Sequence, residues 1–453
     1  MISIVKPGRK IILVNPWITD FAAYDFWLRP LGLLWIGAFL LEAGLEVKLI
    51  DCMDRTHRSV AELPLKKKRD GTGSFLKTEI PKPEVLKFVP RKFGRYGIPV
   101  EAFVKDLEAE VEPAAVLVTC SMTYWYPGAF EAIRIIREIF PETPVILGGR
   151  YATLCEEHAR RFSGADEVMP GRPGRELASF IREKTGVEIA VPESFAEWPA
   201  PAHRLHNNTG AAAVMTAAGC PFRCSYCVSG LLYGKYETRT AESVADEIIG
   251  LSGEGCAQHI AFYDDALLVK WDEVLGPALD RVAERCGKLN FYTPNALHAR
   301  LLDREKAVRM KAAGFSQIRI GYESAEDVFH RRTGGKVTGR QFDRAVENLA
   351  AAGFPGGETG AYIIFGHPDQ TAEQVRRAVR RAGYLGVVPV PAEYSPIPGS
   401  MDFGAAVRTF KRSPALDPLL QNSSIIYYQH GKIATGEFDA LKRECIEIRK
   451  RIV

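Results

Sequence analysis

The chain has 453 residues, 46% hydrophobic and 25% charged, with a formal net charge of +4. That composition excludes a disordered chain, and the length allows about two or three ordinary domains. So small a charge neither requires nor excludes a nucleic-acid partner.

The apolar run IILV (11–14) is followed at once by Asn15 and Pro16 and is too short for a signal-peptide core. As KIILVNP it reads as a buried parallel strand, because a strand covered on both faces is a continuous apolar run. LGLLWIGAFLLEAG (31–44) follows as a helix with Gly44 as its C-cap. Its length suits a buried helix and not a membrane span, which needs about 20 residues. EVKLID (46–51), AAVLVTCS (114–121) and PVILGG (144–149) are further strands, with the helix AFEAIRIIREIF (129–140) between the last two. This alternation predicts a doubly wound, Rossmann-like parallel sheet over residues 1–185. Ligands of such sheets bind beyond the carboxyl ends of the strands, here near Asn15, Asp51, Ser121 and Gly148-Gly149.

Residues 61–99 break the rhythm with ten Lys or Arg against four Asp or Glu. They are expected to form a solvated excursion, with a lid or phosphate-contacting loop as the alternative. The proline-containing stretch 186–210 has no period and reads as a linker. A second series then fills 211–400, with strands in AAVMTAAG, HIAFYDD, LNFYTPN, QIRIGYES, GAYIIFGHP and VVPVPAEYSP. Several of its helices stop at Gly. Six βα units are too few for a closed eight-fold barrel, so a partial (β/α)6 TIM-type barrel is expected, followed by a short helical tail at 401–453.

Nine cysteines are present, six of them scattered singly. Without a secretory signal a disulfide framework is not expected. The stretch AAGCPFRCSYCVSG (217–230) instead gathers Cys220, Cys224 and Cys227 within eight residues. Soft thiolates select iron–sulfur clusters, zinc or copper(I). A structural zinc site needs four ligands, and the next candidate, Cys256, lies beyond a predicted helix. Three ligands on a four-iron cluster leave one iron open for a substrate or cofactor.

The spacing resembles the C-x3-C-x-φ-C signature of the radical S-adenosylmethionine (SAM) enzymes, with Tyr226 at φ. The resemblance implies a [4Fe–4S] cluster on the three cysteines, whose open iron chelates the methionyl amine and carboxylate of SAM. One electron then cleaves SAM to a 5′-deoxyadenosyl radical. Asp264 and Asp265 end the second strand, where the family places polar groups that hold the methionine amine and many members have Gly-Gly-Glu. An Asp pair also caps helices. Glu323, in GYES, resembles the residue that binds the ribose hydroxyls, for which a carboxylate has acceptors enough. IIFGHP (363–368), with Gly366, resembles the segment that packs on adenine. His367 replaces the usual Leu there and reads as a structural histidine or a cavity residue. Asn295 and His298 end the third strand and are read as a capping Asn and a core-edge His ahead of substrate contacts.

The first domain is similar to that of the cobalamin-binding branch of this superfamily, on the strength of RPLGLLWIGAFLLEAGLEVKLID, VTCSMTYWYPG and VILGGRYATLCEEHA. The likeness implies that Ser121, Thr123, Gly148 and Gly149 receive the nucleotide tail of cobalamin. The D-x-H-x-x-G loop that supplies histidine to cobalt is absent, since Asp54 and His57 stand at a different spacing. Tyr124, Trp125 and Tyr126 are expected either to floor a corrin ring or to pack an interface. The expectation is a cytoplasmic enzyme using the cluster, SAM and cobalamin to methylate or rearrange a small-molecule or lipid-like substrate. A flavodoxin or ferredoxin would donate electrons, with no nucleic acid and no membrane span. The alternatives are a methylthiotransferase with a second cluster on Cys52, Cys120 and Cys155, and a non-catalytic electron carrier.

Overall fold

The computed structural model describes residues 9–206, 210–253 and 257–453, so Cys256 lies outside the described residues. The chain divides into two compact units, Met1–Thr209 and Gly210–Val453.

The first unit is built on five parallel strands, β1 (Lys10–Asn15), β2 (Glu46–Asp51), β3 (Ala115–Thr119), β4 (Val145–Gly148) and β5 (Glu167–Val168). Their order is β5-β4-β3-β1-β2. The order reverses between β1 and β3, so the chain leaves these neighbours in opposite directions and opens a crevice at their carboxyl ends. Ile11 to Val14 of β1 are fully buried, as their uninterrupted apolar run requires.

Helix α1 (Leu31–Glu42) is apolar nearly all round, and a helix of that kind must be covered on more than one face. The stretch 186–206 supplies part of the cover. Trp35 packs edge-on against Phe195 and Trp198, Phe39 meets Trp198, and the Ala202 N–H donates to the Leu34 carbonyl at 2.9 Å. This stretch, expected to be a linker, is therefore part of the first unit's packing.

The basic excursion is ordered as well. Gly94–Tyr96 pairs antiparallel with both Ile18–Asp20 and Lys77–Glu79. Several of its cations lie over rings: Lys82 and Arg91 over Phe21, and Lys77 over Tyr96. It is anchored by its aromatics and is not a loose solvated loop.

In the second unit β6 (Ala211–Val214), β7 (His259–Phe262) and β8 (Asn290–Tyr292) form one parallel ladder. A second parallel ladder runs β9 (Leu297–His298), β10 (Arg319–Glu323), β11 (Gly360–Phe365) and β12 (Val388–Glu393). A bridge between Phe291 and Phe315 links β8 to the segment before β10. The six expected strands are present, and β9 is a short addition. Helices α2 (Ala241–Gly253), α3 (Gly276–Arg285), α4 (Arg304–Ala313), α5 (Gly339–Ala351) and α6 (Ala372–Tyr384) alternate with them. Capping boxes of Thr338 with Gln341 and Thr371 with Gln374 start α5 and α6. The tail ends in α7 (Thr435–Ile452), which buries Phe438, Leu441 and Cys445 in the second unit's core. Among the described residues no helix is long and apolar enough to cross a membrane.

Gly149 follows β4 with φ 91° and ψ −172°, a conformation open essentially to glycine alone. A Cβ there would lie 2.7 Å from Thr119 Oγ1 and 2.8 Å from the Cys120 carbonyl oxygen. Gly149→Ala is therefore expected to lower the unfolding free energy by about 1–3 kcal/mol, read from urea unfolding of the full chain. An unchanged midpoint would contradict this.

Candidate active site

Beyond β6 the chain forms a two-residue antiparallel pairing, Ala217–Ala218 with Glu237–Thr238, and then enters the cysteine loop. Asp264, at the end of β7, fixes this exit. Its carboxylate accepts from the Thr216 N–H (3.0 Å), the Thr216 hydroxyl (2.6 Å) and the Ala217 N–H (2.8 Å). Burial pushes its carboxyl up to about 6 despite these bonds. Asp265 accepts from the Ser229 hydroxyl at 2.5 Å, and the Ser229 N–H faces the Cys227 sulfur at 3.4 Å. The two carboxylates brace opposite ends of the loop.

The middle of the loop is tied elsewhere. The Cys227 N–H donates to the Cys224 carbonyl at 3.0 Å, closing a turn. Between these cysteines Ser225 exchanges two bonds with Asp402: its hydroxyl donates to Oδ2 at 2.5 Å, and its carbonyl accepts from the Asp402 N–H at 3.1 Å. Oδ2 of Asp402 also meets Nε2 of the fully buried His367 at 2.9 Å. Burial pushes the Asp402 carboxyl up, but the bonds from His367 and Ser225 prevail and hold it below its usual value. His367 is thus a satisfied structural histidine that steadies the cysteine loop through Asp402. Phe222 is gripped from two sides, with its ring 4.3 Å from that of His298 and 3.9 Å from the Arg300 guanidinium.

Burial raises all three thiols, Cys220 up to about 11, with the neighbouring thiols and Asp265 adding to the effect there. Three soft donors on one short loop fit the ligand set of an iron–sulfur cluster. Among the described residues no three His, Cys, Asp or Glu side chains close on a point that would hold a single ion.

Glu323 ends β10 at φ 65°, where the register with β11 shifts. A glutamate in the left-handed region is uncommon, and such strain collects at functional sites. Its carboxylate pairs with the Lys336 ammonium at 2.6 Å, the two side chains being 8% and 14% exposed. Burial alone would lower the Lys336 ammonium, but Glu323 and the sulfurs of Cys224 and Cys227 outweigh it and raise it. The space for the pair exists because residue 321 is glycine: a Cβ there would lie 2.7 Å from Lys336 Nζ and 2.9 Å from Glu323 Oε1. Tyr226 hydrogen-bonds Cys224, and burial with the Glu323 charge pushes its phenol well up. Gly366 has φ 89°, and a Cβ there would strike Ile426, so the C-terminal segment accounts for this glycine. Asn295 donates to the carbonyls of Tyr263 (2.9 Å) and Asp264 (3.3 Å), which is a capping role. Lys336, Asp402 and Arg300 went unread in the sequence, and His298 was read first as a core-edge histidine. A lysine directly after Gly334-Gly335 was the one local signal available.

The first unit has a cavity of about 140 Å³ at the carboxyl ends of its strands, walled by Leu33, Thr119, Gly148, Gly149, Met169 and Leu177. The Met169–Gly174 wall, MPGRPG, was also missed; its Pro and Gly residues were the signal. Ser121 lies at a separate small recess with Asn15 and Trp125. Thr123 is buried at the start of a 3-10 turn. Asn15 donates to Asp51 at 2.6 Å, and Asp51 also meets His206 at 2.9 Å. Tyr126 stacks on Tyr151 with ring centres 5.5 Å apart, so internal packing accounts for it.

The second unit, a parallel α/β unit with a three-cysteine loop after its first strand, is similar to the radical SAM domains: residues 214–382 match the Radical SAM superfamily. A domain of that superfamily implies a [4Fe–4S] cluster and SAM as the cofactors of the second unit. Among individual proteins, the chain is 25% identical over 306 residues to an uncharacterised methyltransferase of Pyrococcus horikoshii, spanning 65% of that protein's length and 61% of its own. It is 31% identical over 86 residues to the ribosomal protein uS12 methylthiotransferase RimO of Endomicrobium trichonymphae, only 20% of that protein. In fold it is similar to the radical SAM methyltransferase TsrM of Kitasatospora setae, with TM-score 0.63, 18% identity, and 88% of this chain and 75% of that one covered. It is also similar to the cobalamin-dependent enzyme OxsB, with TM-score 0.59, 14% identity, and 95% of this chain and 57% of that one covered.

Removing one partner of a buried ion pair strands the other charge. Lys336→Met should lower the unfolding free energy by about 3–5 kcal/mol. Adding Glu323→Gln should restore most of it in thermal or urea unfolding. A double variant no more stable than the single one would contradict the pairing.

Proposed function

We propose that the chain is a cobalamin-dependent radical SAM methyltransferase acting on a small molecule. The observation that carries this reading is a glycine-walled cavity at the carboxyl ends of a β5-β4-β3-β1-β2 sheet in the same chain as the three-cysteine loop. The fold likeness to TsrM, whose structure holds cobalamin and a [4Fe–4S] cluster, supports it, as does the methyltransferase relative in Pyrococcus.

Cys220, Cys224 and Cys227 would hold the cluster, which supplies the electron that splits SAM into methionine and a 5′-deoxyadenosyl radical. Glu323 would accept the ribose hydroxyls of SAM, held in place by Lys336. Asp264, Asp265 and Asp402 keep the loop in shape from outside. Gly148 and Gly149 would line the seat of cobalamin's nucleotide tail, and cobalamin would supply methyl transfer. His57 is turned to Asp106 (3.1 Å) and Ser59 (2.7 Å), so its ring is already engaged within the first unit. A flavodoxin or ferredoxin would supply electrons from outside.

Cys52 and Cys120 are buried in the apolar core of the first unit, which favours core cysteines over ligands of a second cluster. That observation weighs against the methylthiotransferase alternative.

The test is anaerobic cluster reconstitution with hydroxocobalamin, followed by metal analysis and an absorption spectrum. The reading expects about four irons and one cobalt per chain. Gly148→Phe adds the discriminating arm. A Cβ on Gly148 meets only the Met169 carbonyl oxygen, at 3.7 Å, so the ring can enter the cavity. This variant should keep its iron and lose its cobalt. Wild-type protein that takes up iron but no cobalt would overturn the cobalamin half of the reading.

A further inference from the structure

We propose that His298, at the end of β9, accepts a hydrogen bond at Nδ1 from the amine of SAM's methionyl head. It would do so in place of a carboxylate at the end of β7. The proposal rests on the reading that SAM binds beside the cysteine loop.

The Asp264 and Asp265 carboxylates both have other work. Asp264 holds Thr216 and Ala217, and Asp265 holds Ser229. A cationic or iron-bound amine arriving there needs another acceptor. His298 is 4% exposed, and its Nδ1 has no hydrogen-bond partner. A buried polar atom left unpaired costs about 1–3 kcal/mol, so such atoms are rare and call for a partner.

The ring's location points to that partner. It packs against Phe222, two residues after Cys220 and two before Cys224. In the ladder His298 is opposite Gly321, the glycine that makes room for Glu323 and Lys336. The imidazole also stays neutral. Burial first, then the Lys336 and Arg300 cations, push its pKa down to about 3, and only a hydrogen bond with the Asp265 backbone favours the protonated form. That bond takes the ring's one proton and leaves Nδ1 with its lone pair. A neutral acceptor near two cations suits an amine that must keep its own lone pair for iron. Lys336, 2.6 Å from Glu323, is the adjacent cation for the carboxylate of the same head group.

The experiment is anaerobic calorimetry on the cluster-loaded full chain with two probes, SAM and 5′-methylthioadenosine, which lacks the amino-acid head. Wild type, His298→Leu and His298→Asn are compared at matched iron content. His298→Leu should weaken SAM about tenfold or more while leaving 5′-methylthioadenosine unchanged. His298→Asn, which keeps a polar atom at the same branch point, should recover most of the loss. Unchanged SAM affinity in His298→Leu would overturn the proposal. So would an equal loss for both probes, because that would show a packing role through Phe222. Cluster-loaded wild type that binds no SAM would instead bring down the reading beneath it.

Discussion

Three thiolates on one short, partly buried loop repel one another and resist leaving water, and the second unit is organised around that constraint. Burial raises all three thiols, and the carboxylate of Asp265 raises Cys220 and Cys227 further. A soft metal centre that takes up the negative charge relieves this penalty, and the Lys336 ammonium is the fixed countercharge at Cys224 and Cys227. The sulfurs themselves hold the loop only weakly, the Ser229 N–H facing Cys227 at 3.4 Å. The anchoring falls to the residues between and beside them: Phe222 under His298 and Arg300, Ser225 on Asp402, and Ser229 on Asp265. Each lies within two residues of a cysteine, so the loop is held at close intervals.

The same logic places the two elements that break ordinary backbone or charge rules. Glu323 adopts a left-handed backbone at a register shift, and its charge is buried. Both are unfavourable alone, and both are expected where a side chain must be aimed at a ligand and not at the core. The partner charge comes from Lys336, thirteen residues on, across the space that Gly321 leaves open. In the first unit the equivalent constraint is steric. Gly149 lets the backbone after β4 pass close to Thr119 and Cys120, while Gly148 faces open space at the cavity wall.

Much of this architecture could be read from sequence because its elements announce themselves locally. Parallel strands buried on both faces appear as runs such as IILV, VLV and VIL, and α5 and α6 begin at Thr with Gln three residues later. The three cysteines sit within eight residues, so their grouping needed no fold. What stayed hidden depends on contacts between distant segments. Asp402 reaches Ser225 across 177 positions, and Phe222 meets His298 and Arg300 from a different strand end. Residues 186–206 looked like a linker because Phe195 and Trp198 show no period, yet α1 needed their rings as cover. The basic count of 61–99 suggested solvent, but charge alone does not show that Lys77, Lys82 and Arg91 sit over aromatic faces. His367 departed from the family pattern as read, and its buried bond to Asp402 explains why a histidine serves there.

The central claim is that Cys220, Cys224 and Cys227 hold a four-iron cluster with one iron left for SAM. Electron paramagnetic resonance of the reconstituted, dithionite-reduced protein, recorded with and without SAM, tests it most directly. The account predicts a reduced [4Fe–4S] signal whose g-values shift when SAM is added, because the methionyl amine and carboxylate become ligands to the open iron. A cluster signal that SAM leaves untouched would mean that no iron is open to it. Protein that takes up zinc and gives no iron signal would contradict the account at its root.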